Sequence, residues 1–205
     1  MNLLAALFSR FNHDLRTPLN TILGWTHLLQ KGGLDALRAK HVADVIARNS
    51  RDQTQLLEDF VDDGRAILDT LQLQTAVVRI EDLITQAIER IGNLLTLHGV
   101  SLQQQLRAAD VSVNGDGRRL ERLAYRLLCV ITRRAREAST VEVETSVERG
   151  GCALSIAGSA YEPDWSDAAL LDLRISTIMA ALHGGELDVA ADATRPCVQV
   201  RLPRA

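Results

Sequence analysis

A seam of apolar residues along the first 74 positions constrains the fold of this 205-residue chain more than any other feature. Its spacings alternate between four and three, which is the heptad pattern of helices that pack along their length. The members are Leu4, Phe8, Phe11, Leu15, Pro18, Ile22, Trp25 and Leu29. Lys31-Gly32-Gly33 ends this helix, and a second helix is predicted from about Asp35 to Leu71. Because such a hairpin cannot bury its own seam, we expect two copies to pair as a dimeric four-helix bundle.

From Thr75 onward the pattern changes to short strands and amphipathic helices. Strands are predicted at 77–80, 100–106, 111–113, 141–147, 154–156, 186–191 and 198–202, and helices at 81–98, 116–138 and 166–182. Ser166 is the expected N-cap of the last helix. The fold class is therefore α+β, with the hairpin at 1–74 followed at 75–205 by an α/β-sandwich that has one mixed sheet and helices on one face.

Composition excludes several classes of protein. The chain is 46% hydrophobic and 24% charged, which argues against disorder. No apolar run approaches the roughly 20 residues that a membrane span needs, and we expect no secretory signal. A net charge of −3 argues against nucleic acid as a partner. Three widely spaced cysteines suit a reducing compartment and no zinc site, so the expected location is cytoplasmic.

His13 is the candidate nucleophile. With Phe8 and Leu15 at heptad position a, His13 falls at position f, the outermost position of the helix. Thr17, Asn20 and Gly24 follow on the same face. A lone histidine at such a position is more often an ordinary surface residue, so its neighbours in the sequence decide the interpretation.

The segment His13-Asp14-Leu15-Arg16-Thr17-Pro18-Leu19-Asn20 resembles, at every position, the phospho-acceptor motif (the H-box) of sensor histidine kinases. Residues 22–33 resemble the remainder of that family's dimerisation hairpin, and residues 141–156 and 182–187 resemble its ATP-binding domain. The resemblance implies that His13 accepts a phosphoryl group, assisted by Asp14 and Thr17. It also implies that response-regulator receiver domains dock on the outer face of the helix, at Arg16, Thr17, Asn20, Thr21 and Gly24.

The nucleotide-binding half departs from the family pattern in three boxes. The family's two N-box asparagines, the second of which serves magnesium, correspond to Arg126 and Val130. The adenine-binding aspartate corresponds to Gly158. Two phosphate-loop glycines correspond to Leu170 and Asp172, and the lid shrinks to residues 161–168. We therefore expect no ATP binding, no cofactor and no metal on this chain, with magnesium carried by the partner receiver.

These observations predict a histidine phosphotransferase that passes a phosphoryl group between His13 and receiver aspartates. Two alternatives stay open. One is a sensor histidine kinase core fragment with ATP-dependent autophosphorylation, and the other is a non-enzymatic scaffold that binds receivers.

Three charged or polar segments carry secondary predictions. The apolar-free stretch 48–55 is expected beside His13, with Asp52 level with it. The arginines of helix 116–138 are interpreted as a solvated basic face, with a docking surface for an acidic partner as the alternative. Glu58, Asp59, Asp62 and Asp63 are interpreted as a solvated acidic cluster.

Overall fold

The computed structural model describes residues 2–160, 165–190 and 197–205. These residues form two compact units, one at 1–71 and one at 72–205. The boundary lies close to the one expected at 74/75. Each unit is described by itself below.

The first unit is a pair of long helices, as predicted. Helix α1 spans Leu3–Lys31 and helix α2 spans Ala36–Ile67. The side chain of Asp35 caps α2 by accepting a hydrogen bond from the Arg38 amide at 2.8 Å. Gly32 and Gly33 have φ angles of 71° and 80°, a left-handed conformation that glycine adopts without strain, so this pair forms the turn. Helix α2 ends four residues before the predicted Leu71, because the chain turns after Ile67.

Aromatic contacts hold the two helices together. The Phe60 ring stacks on Phe11 with centroids 4.1 Å apart and meets the edge of Phe8 at 5.0 Å. Trp25 and His41 make an edge contact near the turn. Much of the apolar seam nevertheless stays accessible within one chain, since Phe8 is 58% exposed. The exposed large apolar residues of the two helices are Phe8, Leu19, Leu23, Leu28, Leu29, Leu37, Leu57 and Val61.

The second unit combines three helices with two sheets. The helices are α3 (Ile80–His98), α4 (Gly117–Thr132) and α5 (Asp167–Leu182). The strands are β1 (Ala76–Arg79), β2 (Ser101–Leu106), β3 (Ser112–Gly115), β4 (Thr140–Glu148), β5 (Gly151–Gly158), β6 (Glu186–Ala190) and β7 (Cys197–Pro203). Ser166 caps α5 as predicted, and its hydroxyl accepts from the Ala169 amide at 3.2 Å. The predicted strand 186–191 corresponds to β6, and Ala191 lies outside the described residues.

The larger sheet has the strand order β2-β4-β5-β7-β6. Strands β2 and β4 are parallel and the other pairs are antiparallel, so the sheet is mixed as predicted. The expectation of a single sheet is wrong, because β1 and β3 pair with each other in a separate two-stranded sheet. These strands have four residues each, and their main-chain groups are satisfied by that pairing.

Helix α4 is shorter than the predicted 116–138. It ends at Thr132, and Ala138 takes a φ angle of 61° while its amide donates to the Gly99 carbonyl at 2.9 Å. The turn at Ala138 directs the chain into β4. The arginine-rich sequence before it gave no signal that the helix ends before residue 138.

The core of the second unit lies between one face of the larger sheet and the helices. Val141, Val143 and Thr145 alternate with more accessible residues along β4 and are buried. Ile84, Leu127 and Ile175 bury one face each of α3, α4 and α5. The observed α+β architecture agrees with the predicted fold class. Its consequence for function is that α4 and α5 lie side by side.

Candidate functional site

His13 lies on the outer surface of α1, with 85% of its side chain exposed. Its Nδ1 atom is 3.2 Å from Oδ1 of Asp14. A carboxylate can only accept, so this hydrogen bond places the ring proton on Nδ1 and leaves the Nε2 lone pair available. The structure therefore presents an imidazole whose Nε2 atom is accessible and can act as the nucleophile.

Asp14 also contacts a residue that the sequence analysis did not select. The Nε atom of Arg10 lies 3.3 Å from Oδ2 of Asp14, one helical turn earlier. The signal was present in the sequence as an i, i+4 spacing of opposite charges. Each carboxylate oxygen thus has a different partner.

The other candidate residues continue along α1 below His13. Arg16, Thr17, Asn20 and Gly24 are exposed, and Thr21 is half-buried. The Thr21 hydroxyl donates to the Thr17 carbonyl at 3.0 Å. A Cβ atom added at Gly24 would meet no heavy atom within 4 Å, so this position is open. The structure thus brings all seven predicted site residues to one helix; five of them are exposed, and Asp14 and Thr21 are half-buried.

Pro18 lies inside α1 and is buried. It has no N–H to donate to the Asp14 carbonyl, so one intrahelical hydrogen bond is absent beside the site. The helix nevertheless continues through Pro18 to Lys31. Pro18 therefore costs α1 one hydrogen bond without ending the helix.

The ring contacts between the two helices indicate which part of α2 is level with His13. Because antiparallel helices advance in opposite directions, the contacts of Trp25 with His41 and of Phe11 with Phe60 place His13 level with residues 53–58, immediately after the predicted Asp52.

The positions that correspond to the family's nucleotide boxes lie on α4, α5 and the end of β5. Arg126 and Asp172 form an ion pair, with Nε 3.5 Å from Oδ1 and side chains only 11% and 3% exposed. Val130 is 2% exposed within the core of the unit. Gly158 is the last residue of β5, and Leu170 is 39% exposed on α5. Of the predicted lid, residues 161–164 lie outside the described residues.

These side chains do not fit magnesium and a nucleoside triphosphate as the family's residues would. Valine offers no oxygen to magnesium, and glycine offers no carboxylate to adenine. The Asp172 carboxylate would repel a phosphate, and it already pairs with Arg126. Among the described residues, no group of three histidine, cysteine or acidic side chains is placed to hold a metal ion.

The arginines of α4 and of the segment that follows it, up to residue 136, are less solvated than predicted. Arg119 pairs with Asp116, and the Arg134 guanidinium lies 3.6 Å above the Trp165 ring. Arg122 and Arg134 are 8% and 6% exposed. The interpretation as a solvated basic face holds only for the exposed residues Arg118, Arg133 and Arg136. The acidic cluster of α2 was also misjudged, since Asp62 and Asp63 are each 5% exposed.

His183 joins the end of α5 to the start of α4. Its Nδ1 donates to the Met179 carbonyl at 2.8 Å, and its Nε2 accepts from the Asp116 amide at 3.2 Å. Burial lowers the pKa of His183. Burial raises the pKa of Asp116, but hydrogen bonds from the Gln74 and Arg119 amides and from the Arg119 guanidinium outweigh it and hold that pKa below its ordinary value. His183 is therefore a neutral structural residue and not a second candidate nucleophile.

Comparison with known proteins agrees with this geometry. Residues 3–68 match the family of the His Kinase A (phospho-acceptor) domain. The chain is 31% identical over 110 residues to the sensor protein DivL of Caulobacter vibrioides, covering 53% of this chain and 14% of DivL. It is 25% identical over 225 residues to the sensor histidine kinase MtrB of Mycolicibacterium paratuberculosis, covering 98% of this chain and 40% of MtrB.

A solved structure, full-length ShkA in complex with AMPPNP, has the same fold. The TM-score is 0.66 at 23% identity, over 97% of this chain and 45% of that chain. The chain is therefore histidine-kinase-like, and residues 3–68 match the model of a phospho-acceptor domain. A solved structure of the catalytic domain of histidine kinase ThkA matches 64% of the chain with a TM-score of 0.56 at 13% identity, so the chain shares the fold of that domain. The chain spans less than half the length of DivL, MtrB and ShkA. No helix within the described ranges has the length and apolarity that crossing a membrane demands.

Proposed function

We propose that this chain acts in two-component signalling, with His13 as the residue that carries the phosphoryl group. The observation that carries the proposal is the exposed imidazole of His13, held through Nδ1 by Asp14 at 3.2 Å. The match of residues 3–68 to the phospho-acceptor family supports the same role.

The chemistry at His13 is a phosphoryl transfer in which the Nε2 lone pair attacks phosphorus. An N–P bond forms, and the bond from phosphorus to the donor's oxygen breaks with its electron pair leaving on that oxygen. Positive charge develops on the ring, and the Asp14 carboxylate stabilises it through the Nδ1 proton. The reverse reaction returns the phosphoryl group to a receiver aspartate.

The outer face of α1 is the proposed docking surface for a receiver domain. Arg16 offers a cation to an acidic phosphorylation pocket. Thr17, Asn20 and Thr21 offer hydrogen-bonding groups, and Gly24 leaves room for the partner's backbone. Magnesium in that complex would belong to the receiver.

Pairing of two chains through the hairpin is part of the proposal. The apolar residues that one chain leaves exposed lie on both helices, with Leu23 at 58% and Leu57 at 52%. Burial of apolar surface contributes about 25 cal/mol per Å². We therefore expect the hairpin of a second copy of the chain to bury these apolar residues, as the resemblance to the family implies.

Two donors of the phosphoryl group are compatible with this site. The comparisons favour ATP, since the chain is similar to sensor histidine kinases and the ShkA structure contains AMPPNP. In this first candidate the chain is the core of a kinase.

The second candidate is a histidine phosphotransferase that takes its phosphoryl group from a receiver's aspartyl phosphate. The specific observation that favours it is the buried pair of Arg126 and Asp172 at two nucleotide-box positions, together with Val130 in place of a magnesium ligand. On this basis we expect the nucleotide not to bind.

Calorimetry with magnesium-ATP, followed by labelling, separates the two candidates. The phosphotransferase predicts no heat of binding up to millimolar nucleotide, no label from radioactive ATP, and acid-labile label from a phosphorylated receiver. A micromolar dissociation constant with labelling from ATP would establish the kinase instead.

The matched control for both labelling reactions is His13→Gln, which keeps size and polarity but removes the nucleophilic nitrogen. Undiminished acid-labile label on the folded variant would refute His13 as the acceptor. Receiver binding with no label from either donor would indicate a scaffold and contradict the proposal.

A further inference from the structure

Arg10, Asp14 and His13 form a chain of contacts on one edge of α1. Arg10 Nε lies 3.3 Å from Oδ2 of Asp14, and His13 Nδ1 lies 3.2 Å from Oδ1. The Arg10 and Asp14 side chains are 31% and 37% exposed, so both are partly withdrawn from water. The carboxylate therefore bridges the Arg10 guanidinium and the His13 ring, with a separate oxygen for each.

The contact of Arg10 with Asp14 is a weak candidate for a purely stabilising role. An exposed or half-exposed i, i+4 pair stabilises a helix by only about 0.2–0.5 kcal/mol. The order here, with the cation toward the helix N-terminus, is the less favourable one for the helix dipole. The contact of Arg10 with Asp14 therefore has little effect on folding, and its main effect is on the orientation of the Asp14 carboxylate.

The Asp14 carboxylate needs an anchor to hold the His13 ring. Adjacent residues on a helix point about 100° apart and do not face each other. The Asp14 side chain must therefore adopt a rotamer that directs it along the helix surface to reach Nδ1 of His13. In its other rotamers the carboxylate would point into solvent. An arginine one turn earlier fixes one oxygen and so orients the second toward the ring, because its planar guanidinium donates in fixed directions.

We propose that Arg10 is a positioning residue for phosphoryl transfer, resting on the proposed function of His13. It holds the Asp14 carboxylate so that the His13 proton stays on Nδ1 and the lone pair stays on Nε2. In the transfer step Nε2 forms the bond to phosphorus, the donor's oxygen leaves with the bonding electrons, and the Nδ1 proton remains in its hydrogen bond to Asp14. Arg10 itself contacts neither phosphorus nor the donor.

The consequence is a change in tautomer when Arg10 is replaced. A free neutral imidazole carries its proton mainly on Nε2, which removes the lone pair that attacks. We expect Arg10→Gln to move His13 toward that Nε2–H form and to reduce the rate of phosphoryl transfer about fivefold, the factor that corresponds to one ordinary net hydrogen bond. Arg10→Lys should restore only part of the effect, since an ammonium group is a point charge without a fixed donor direction.

Nitrogen-15 chemical shifts of the histidine rings, measured on the whole protein above pH 8, test the proposal without any transfer reaction. The His13 signal is assigned by its loss in His13→Gln. The matched control is Arg38→Gln, which removes an exposed arginine paired with Asp35 at 3.7 Å elsewhere in the same helix pair. The control should leave both the His13 tautomer and the transfer rate unchanged.

The outcomes separate this inference from the proposed function. A shift toward Nε2–H in Arg10→Gln, absent in Arg38→Gln, supports the positioning role, even if wild type accepts no phosphoryl group from any donor and the proposed function fails. An unchanged Nδ1–H signature in folded Arg10→Gln overturns the positioning role, even if wild-type transfer proceeds as proposed.

Discussion

Replacement of Asp172 by asparagine removes the negative charge of a buried ion pair while keeping the size of the side chain. Asp172 is 3% exposed and lies 3.5 Å from the Arg126 guanidinium. At an effective dielectric constant of about 20, two unit charges at that distance attract by roughly 5 kcal/mol before the cost of burial. The variant breaks this buried ion pair by removing one partner, so we expect a loss of about 3–5 kcal/mol in the free energy of unfolding.

The double variant Arg126→Leu with Asp172→Leu tests whether the loss belongs to the pair. Replacement of a buried ion pair by apolar residues of similar volume is often neutral or stabilising by about 1–4 kcal/mol. The double variant should therefore be at least as stable as either single variant, Arg126→Leu or Asp172→Leu. Such a result corresponds to a large coupling energy in the double-mutant cycle.

Urea denaturation followed by tryptophan fluorescence measures these energies for the second unit alone. The chain has two tryptophans, Trp25 in the helix pair and Trp165 beside Arg134. In a Trp25→Phe background the emission reports only the unit that contains the ion pair. A loss below about 1 kcal/mol for Asp172→Asn, or a double variant worse than both single variants, would refute the reasoning from charge burial.

Four further outcomes follow from the structure. Gly24→Arg should weaken receiver binding, measured by calorimetry, at least tenfold without loss of folding. Gly92→Arg, at an equally open position on α3, should leave receiver binding unchanged, and equal affinities of the two variants would contradict the docking surface. His13→Gln should change the free energy of unfolding by no more than about 0.5 kcal/mol, because His13 is largely exposed. Light scattering should give twice the chain mass of 22.5 kDa, and the monomer mass at micromolar concentration would contradict pairing through the hairpin. Burial lowers the pKa of His183 below 6.5, so the unfolded state binds more protons than the folded state at lower pH. The free energy of unfolding of the second unit should therefore fall as the pH drops below 6.5, and His183→Asn should flatten that fall between pH 6.5 and 5.

The helix pair and the exposed position of His13 could be predicted from the sequence because both depend on local information. A spacing of four and three fixes which face of α1 is apolar, and the position of His13 on the opposite face follows directly. The Gly-Gly turn and the Ser166 cap are likewise set by neighbouring residues. The contact of Arg10 with Asp14 was accessible by the same reasoning, through its i, i+4 spacing.

Other features depend on which elements pack together, and a single sequence does not contain that information. The four-residue strands β1 and β3 carry no signal of their partner, so their separate sheet was missed. Arg122 and Arg134 were assigned to a solvated face because their burial depends on what surrounds α4 in the folded chain. The end of α4 was misplaced for a similar reason, since the Ala138 amide donates to the carbonyl of Gly99, which lies between α3 and β2.

Arg126 and Asp172 appear in the sequence as two separate departures from the nucleotide boxes, but the structure joins them in one contact. Removal of one partner from a buried ion pair costs about 3–5 kcal/mol, a large fraction of the stability of a small domain. Together they allow the second unit to keep its fold with these residues in the nucleotide boxes. The two departures from the nucleotide boxes are therefore compatible with a stably folded second unit, and its stability should respond to loss of the ion pair.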